Sequence, residues 1–116
     1  MKTKKFIKKL RKTAEFFGED WKIHDDVEFV RIFPEPSLNE CYCPITAVCL
    51  MQTGKKYYPW NAPEAGELIG LKNRQIRAIM EASDHHESAY GKLRARLLKA
   101  MLNGQNQTKN QKAPPA

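Results

Sequence analysis

The stretch from Ala62 to Leu102 constrains the fold more than any other, because it combines dense helical periodicity with a patterned set of basic residues. Its centre, Pro63 to Met80, reads PEAGELIGLKNRQIRAIM and is expected to form two helices that meet at Gly70. A helix-turn-helix needs a small residue where the helices touch and, four positions later, a glycine whose backbone turns left-handed. An apolar residue six positions further on then holds the second helix. Gly66, Gly70 and Ile76 meet this spacing, and Ala65, Ile69, Leu71 and Ile79 occupy the positions such a unit buries. Lys72, Asn73, Arg74 and Arg77 then fall in the first turns of the second helix, where base edges and phosphates are met. Two features oppose a DNA-reading role: Gly66 is a poorer helix former than alanine, and Glu81 shares the outward face of Arg74 and Arg77. An ordinary helical hairpin with a Gly-Leu turn shows the same spacing, since packed ridges require a small residue at the crossing.

With 116 residues the chain suits one domain with one modest core. The expected architecture is mainly α, with four to five helices, a short β-hairpin after the first helix, and a helix-turn-helix-like unit near Gly70. From Thr3 to Phe17 the positions Phe6, Leu10, Thr13, Ala14 and Phe17 recur at helical spacing with Ile7 at the edge, while lysines and Arg11 take the rest of the circumference. Gly18 stops that helix. Its basic side has three readings: a solvated face, a phosphate-contacting arm, or a membrane-surface helix.

Residues 21–33 carry alternating Trp21 and Ile23, an Asp25-Asp26 interruption, and the strand formers Val27, Phe29, Val30 and Ile32, which together predict a small hairpin. Pro34 and Pro36 then form a loop that leaves the ladder. From Cys43 to Gly54, Pro44 suits a first helical position and Gly54 a left-handed cap, with Ile45, Val48, Cys49 and Met51 or Gln52 forming one apolar side. Tyr57, Tyr58 and Trp60 lie in an extended linker, and Asn61 is placed to cap the next helix.

The last helix, after Ser88, carries Tyr90, Leu93, Leu97, Ala100 and Met101 as one stripe, with Lys92, Arg96 and Lys99 together on the opposite side. Asn103-Gly104 is its expected end, giving a domain over 1–104. Residues 105–116 contain only Gln, Asn, Thr, Lys, Ala and Pro and read as a disordered tail.

A net charge of +7 favours polyanionic partners, with DNA expected before RNA. Against that, eight of the thirteen acidic residues (Glu15, Glu19, Asp20, Asp25, Asp26, Glu28, Glu35 and Glu40) crowd into one region that repels phosphate. No apolar run follows the basic amino terminus at the length of a signal peptide or membrane span, so a cytoplasmic protein is expected. Three cysteines in such a chain predict reduced thiols.

Cys41, Cys43 and Cys49 with His24, His85 or His86 offer four zinc ligands on paper. The Cys-x-Cys pair is tighter than the usual Cys-x-x-Cys turn, however, and Cys49 falls on an apolar side. No metal or cofactor is therefore expected. A cysteine nucleophile has no local histidine signature here, Asp25-Asp26 and Glu19-Asp20 read as turn and cap residues, and Gly54-Lys55-Lys56 lacks the rest of a phosphate loop.

Taken in order, Trp21, Arg31, Cys43-Pro-Ile-Thr-Ala-Val-Cys49, Gly54-Lys-Lys-Tyr57, Leu68-Ile-Gly-Leu71, Ala82-Ser-Asp84 and Leu93 to Leu98 give the chain a loose likeness over residues 21–102. In these it resembles small uncharacterised bacteriophage and prophage proteins. That resemblance implies a viral origin and brings no activity, catalytic residue or cofactor. The leading expectation is a phage-type accessory protein that binds nucleic acid through Lys72, Asn73, Arg74 and Arg77, assisted by the first helix or by Lys92, Arg96 and Lys99. The alternative is a non-enzymatic phage protein that binds and modulates a host protein in the host cytoplasm, with Tyr57, Tyr58 and Trp60 as anchors.

Overall fold

The computed structural model describes residues 2–18, 21–25, 30–34, 42–55, 57, 69–84 and 91–112. Over these the protein is mainly helical. Helix α1 spans Thr3–Phe17, strands β1 and β2 span Trp21–Asp25 and Val30–Pro34, and helices α2, α3 and α4 span Pro44–Thr53, Asn73–Asp84 and Gly91–Lys112.

Helix α1 forms where its apolar spacing predicts, burying Phe6, Leu10, Thr13 and Ala14. The Thr13 hydroxyl stays satisfied in the core by donating to the Lys9 carbonyl at 2.8 Å. Gly18 closes the helix, its N–H bonded to the Ala14 carbonyl.

The strands pair antiparallel from Trp21 opposite Pro34 to Asp25 opposite Val30. The hairpin thus extends one residue past the expected end at Phe33. Proline lacks only a donor, and a strand's last residue can forgo one. On its other side β2 takes up Tyr42, whose N–H donates to the Ile32 carbonyl at 2.9 Å while Ile32 N–H returns a bond of 3.0 Å.

That bridge delivers the chain directly into α2. Cys43 is its N-cap, with Sγ accepting from Thr46 N–H, Pro44 occupies the first turn, and Gly54 ends it in the left-handed region. The expected single apolar side is corrected by the structure, which buries Pro44, Ile45, Thr46, Ala47, Val48 and Cys49 around the full circumference. The reason is position. Ile45, Val48 and Cys49 join the main core with Phe6, Leu10, Ile79, Leu97 and Met101, whereas Ala47 joins a second cluster with Trp21, Ile32 and Tyr42. Thr46 meets this burial by pairing its hydroxyl with Cys43 Sγ at 3.2 Å.

Helix α4 corrects the expected stop at Asn103-Gly104 and the tail assigned to 105–116, since it runs on to Lys112. Gly104 marks a crossing: a Cβ there would stand 2.9 Å from the Ala14 Cβ and 3.0 Å from the Glu15 nitrogen, so only glycine allows α1 this close. One residue later Gln105 Nε2 donates to the Trp21 carbonyl at 2.6 Å and the Gly18 carbonyl at 3.3 Å. Residues 113–116 lie outside the described part.

Candidate functional site

Helix α3 carries the sharpest site expected from the sequence. Gly70 has φ 82°, the left-handed turn the spacing requires, and Ile69, Leu71, Ile76 and Ile79 are buried around it. Lys72, Asn73, Arg74 and Arg77 are exposed, as is Glu81. Gly66 and Ala65, and with them the first helix of the expected pair, lie outside the described residues.

Gln75, which sequence reasoning passed over, organises the start of α3. Its Oε1 accepts the Lys72 N–H at 2.9 Å, the reach-back half of a capping box without the usual Ser or Thr. Its Nε2 donates to the Thr3 hydroxyl at 3.4 Å and so ties the beginning of α3 to the beginning of α1. Neither helix has an acidic residue in its first turn. Backbone N–H groups at both starts therefore add to the positive potential of Lys2, Lys4, Lys5, Lys72 and Arg74.

The second basic set, on α4, is likewise exposed at Lys92, Arg96 and Lys99. Here the tertiary structure adds what no local pattern holds. A cleft of about 300 Å³ opens between α1 and α4, lined by Lys4, Ile7, Lys8, Arg11, Arg96, Lys99, Ala100 and Asn103. Among the described residues that line it, five of eight are cations and none is a carboxylate. Lys92 precedes Arg96 by one turn on the same side of α4 and prolongs the stripe beyond the cleft.

The helices run in the same direction. Arg11 and Ala14 meet Gly104. Seven residues of helix advance about 10 Å, so Lys4 of α1 comes level with Arg96 of α4 only if both chains ascend together. Small Ala100 and Gly104 let the axes approach, and the long cationic side chains then rise from both walls.

One arginine leaves this pattern. Arg94 is buried, its Nη1 donating to the Ala82 and Ser83 carbonyls at 3.3 and 3.2 Å, where a cation suits the C-terminal end of α3. A lone cation beside Leu97, Leu98 and Met101 at helical spacing was its only signal in the sequence. Nearby Ser83 Oγ is buried with no hydrogen-bond partner among the described residues.

The apolar side of α1 is covered by the fold, so the membrane-surface reading would require Phe6 and Leu10, both wholly buried, to leave the core. No helix among the described residues is long and apolar enough to cross a membrane. Cys43 and Cys49 are buried thiols, and burial, then Cys43, pushes the Cys49 thiol from 9.0 up to about 11, away from nucleophilic character. No group of three or more metal-ligating side chains occurs among the described residues. Cys41, His85, His86, Tyr58 and Trp60 lie outside them, and Tyr57 is packed partly buried against the main core. The fold and cleft define a small, mainly helical protein with a cationic interhelical surface. No protein-family model, curated protein or solved structure matches the chain.

Proposed function

We propose that the protein is a nucleic-acid-binding accessory protein that holds the phosphate backbone in the α1–α4 cleft. The observation that supports this is the convergence of Lys4, Lys8, Arg11, Arg96 and Lys99 on a cleft with no carboxylate among its described lining residues. Like charges brought together from two helices repel one another, and a polyanion relieves that repulsion while releasing its condensed counterions. The basic start of α3 is tied to the start of α1 through Gln75 and Thr3, one residue before Lys4 of the cleft.

Affinity of this kind rests on charge and reads little sequence, because base-edge contacts come from a docked element rather than from lysine side chains alone. The geometry therefore favours the cleft as the seat of binding and Lys72, Asn73, Arg74 and Arg77 as a contributing edge. An accessory role is in keeping with the likeness to phage and prophage proteins.

Fluorescence anisotropy with labelled oligonucleotides tests the reading. Arg11→Glu with Arg96→Glu is expected to weaken binding about ten-fold or more, and Arg74→Glu with Arg77→Glu to weaken it less. Wild-type affinity in the cleft pair, with the fold intact by circular dichroism, would overturn the assignment.

A further inference from the structure

Phe16 is the most exposed large apolar side chain among the described residues, at 72 %. It is nevertheless held. Its ring meets Phe17 edge-on at 5.1 Å between centroids and 76°, Phe17 packs on Trp21 at 4.2 Å, and Trp21 on Tyr42 at 5.1 Å. Trp21 and Tyr42 belong to the second buried cluster. A chain of rings thus runs from the core to a wet surface and fixes Phe16 at its outer end.

The address of that ring is specific. Lys4, Lys8, Lys12 and Phe16 form one i, i+4 ridge on α1, each step rising about 6 Å. Lys4 and Lys8 line the cleft, Lys12 is exposed, and the ridge leaves the cleft at an aromatic platform. Paired bases hide their faces in the stack, so a duplex has nothing to place on such a ring. An unpaired base does, and aromatic stacking beside a cationic track is the usual means of holding single strands without reading their sequence.

Resting on the reading above, we infer that the ligand of the cleft is single-stranded nucleic acid, its backbone tracked by Lys4, Lys8 and Lys12 and an unpaired base stacked on Phe16. Complementary charge supports this occupant over an apolar protein surface.

The test compares oligothymidylate with a fully paired hairpin of matched length at one salt concentration, for wild type, Phe16→Ala, Phe16→Trp and the Arg11→Glu/Arg96→Glu pair. Wild type should prefer oligothymidylate. Phe16→Ala should lose about 5- to 150-fold in affinity for it while hairpin binding holds, and Phe16→Trp should retain or raise it. Equal affinity of wild type for both probes, or an unchanged Phe16→Ala, overturns the inference and leaves the cleft reading standing if the charge-reversed pair still binds about ten-fold or more weakly. Binding of neither probe overturns both. Phe16-dependent sedimentation with phosphatidylserine vesicles, without oligonucleotide binding, would assign the ridge to an anionic membrane and overturn both as well.

Discussion

Gly104 of α4 lies against Ala14 of α1 so closely that a Cβ on the glycine would stand 2.9 Å from the alanine's own and would also run into the Arg11 carbonyl oxygen. Alanine is the better helix former by about 1 kcal/mol. The atoms in its way include backbone, which cannot swing aside, and overpacking of this kind costs about 1–3 kcal/mol. Gly104→Ala is therefore expected to lower stability, by up to about 2 kcal/mol in urea titration, and to weaken oligonucleotide binding by moving apart the walls of the cleft. An unchanged or higher urea midpoint would show that the crossing is not tight.

A chain ending at Gly104 loses the Gln105 amide that bonds the Trp21 and Gly18 carbonyls. Those carbonyls lie where α1 turns into β1, so the loss reaches the hairpin as well as α4. Truncation after Gly104 is predicted to destabilise the protein by at least about 1 kcal/mol, and Gln105→Ala to reproduce much of that, in line with one to two uncompensated hydrogen bonds. Truncation after Lys112 serves as the control. Equal urea midpoints for the two truncations would return residues 105–112 to the status of a tail.

These two positions show where the sequence is legible. Helices α1 and α2 are readable because their signals are local: apolar spacing from Phe6 to Phe17, Pro44 at a first turn, Gly54 at an end. Gly104 follows the last apolar residues of its segment and carries the composition of a stop, yet its role is a distance to Ala14, ninety positions earlier. The cleft has the same character. Each basic stripe can be read on its own helix, but their meeting depends on α1 and α4 running in the same direction, which no local pattern encodes. The single apolar side assigned to α2 failed for a related reason, since two clusters at opposite flanks bury it.

Cys49 provides a pH prediction with a definite sign. Burial, with a smaller effect of Cys43, raises its thiol from 9.0 to about 11, so the folded state holds this proton more tightly than the unfolded chain. The stability tied to that proton is complete below pH 9 and is lost as pH rises from 9 toward about 11. Other groups titrate in the same range, so the measurement is a difference: urea stability of wild type minus that of Cys49→Ala. The gap should be constant below pH 9 and shrink above it. A gap that widens there would mean the thiol is not desolvated.

Salt dependence offers the most direct reading of the cleft, because it counts phosphates rather than energies. Single strands give a slope of log K against log salt of about −0.7 for each phosphate neutralised. With the cleft cations Lys4, Lys8, Arg11, Arg96 and Lys99 and the exposed Lys12 of the ridge each engaging one phosphate, the slope approaches about −4.2 (6 × 0.7). Removing one charge, as in Lys8→Gln or Lys99→Gln, should make it shallower by about 0.7. Lys55→Gln, at an exposed position outside the cleft, should leave it alone. Phe16→Ala separates the two kinds of contact: it should lower affinity at every salt concentration and keep the slope, since a stacked base releases no counterions. A slope that falls equally for Lys8→Gln and Lys55→Gln would spread binding over the whole basic surface and remove the special standing of the cleft.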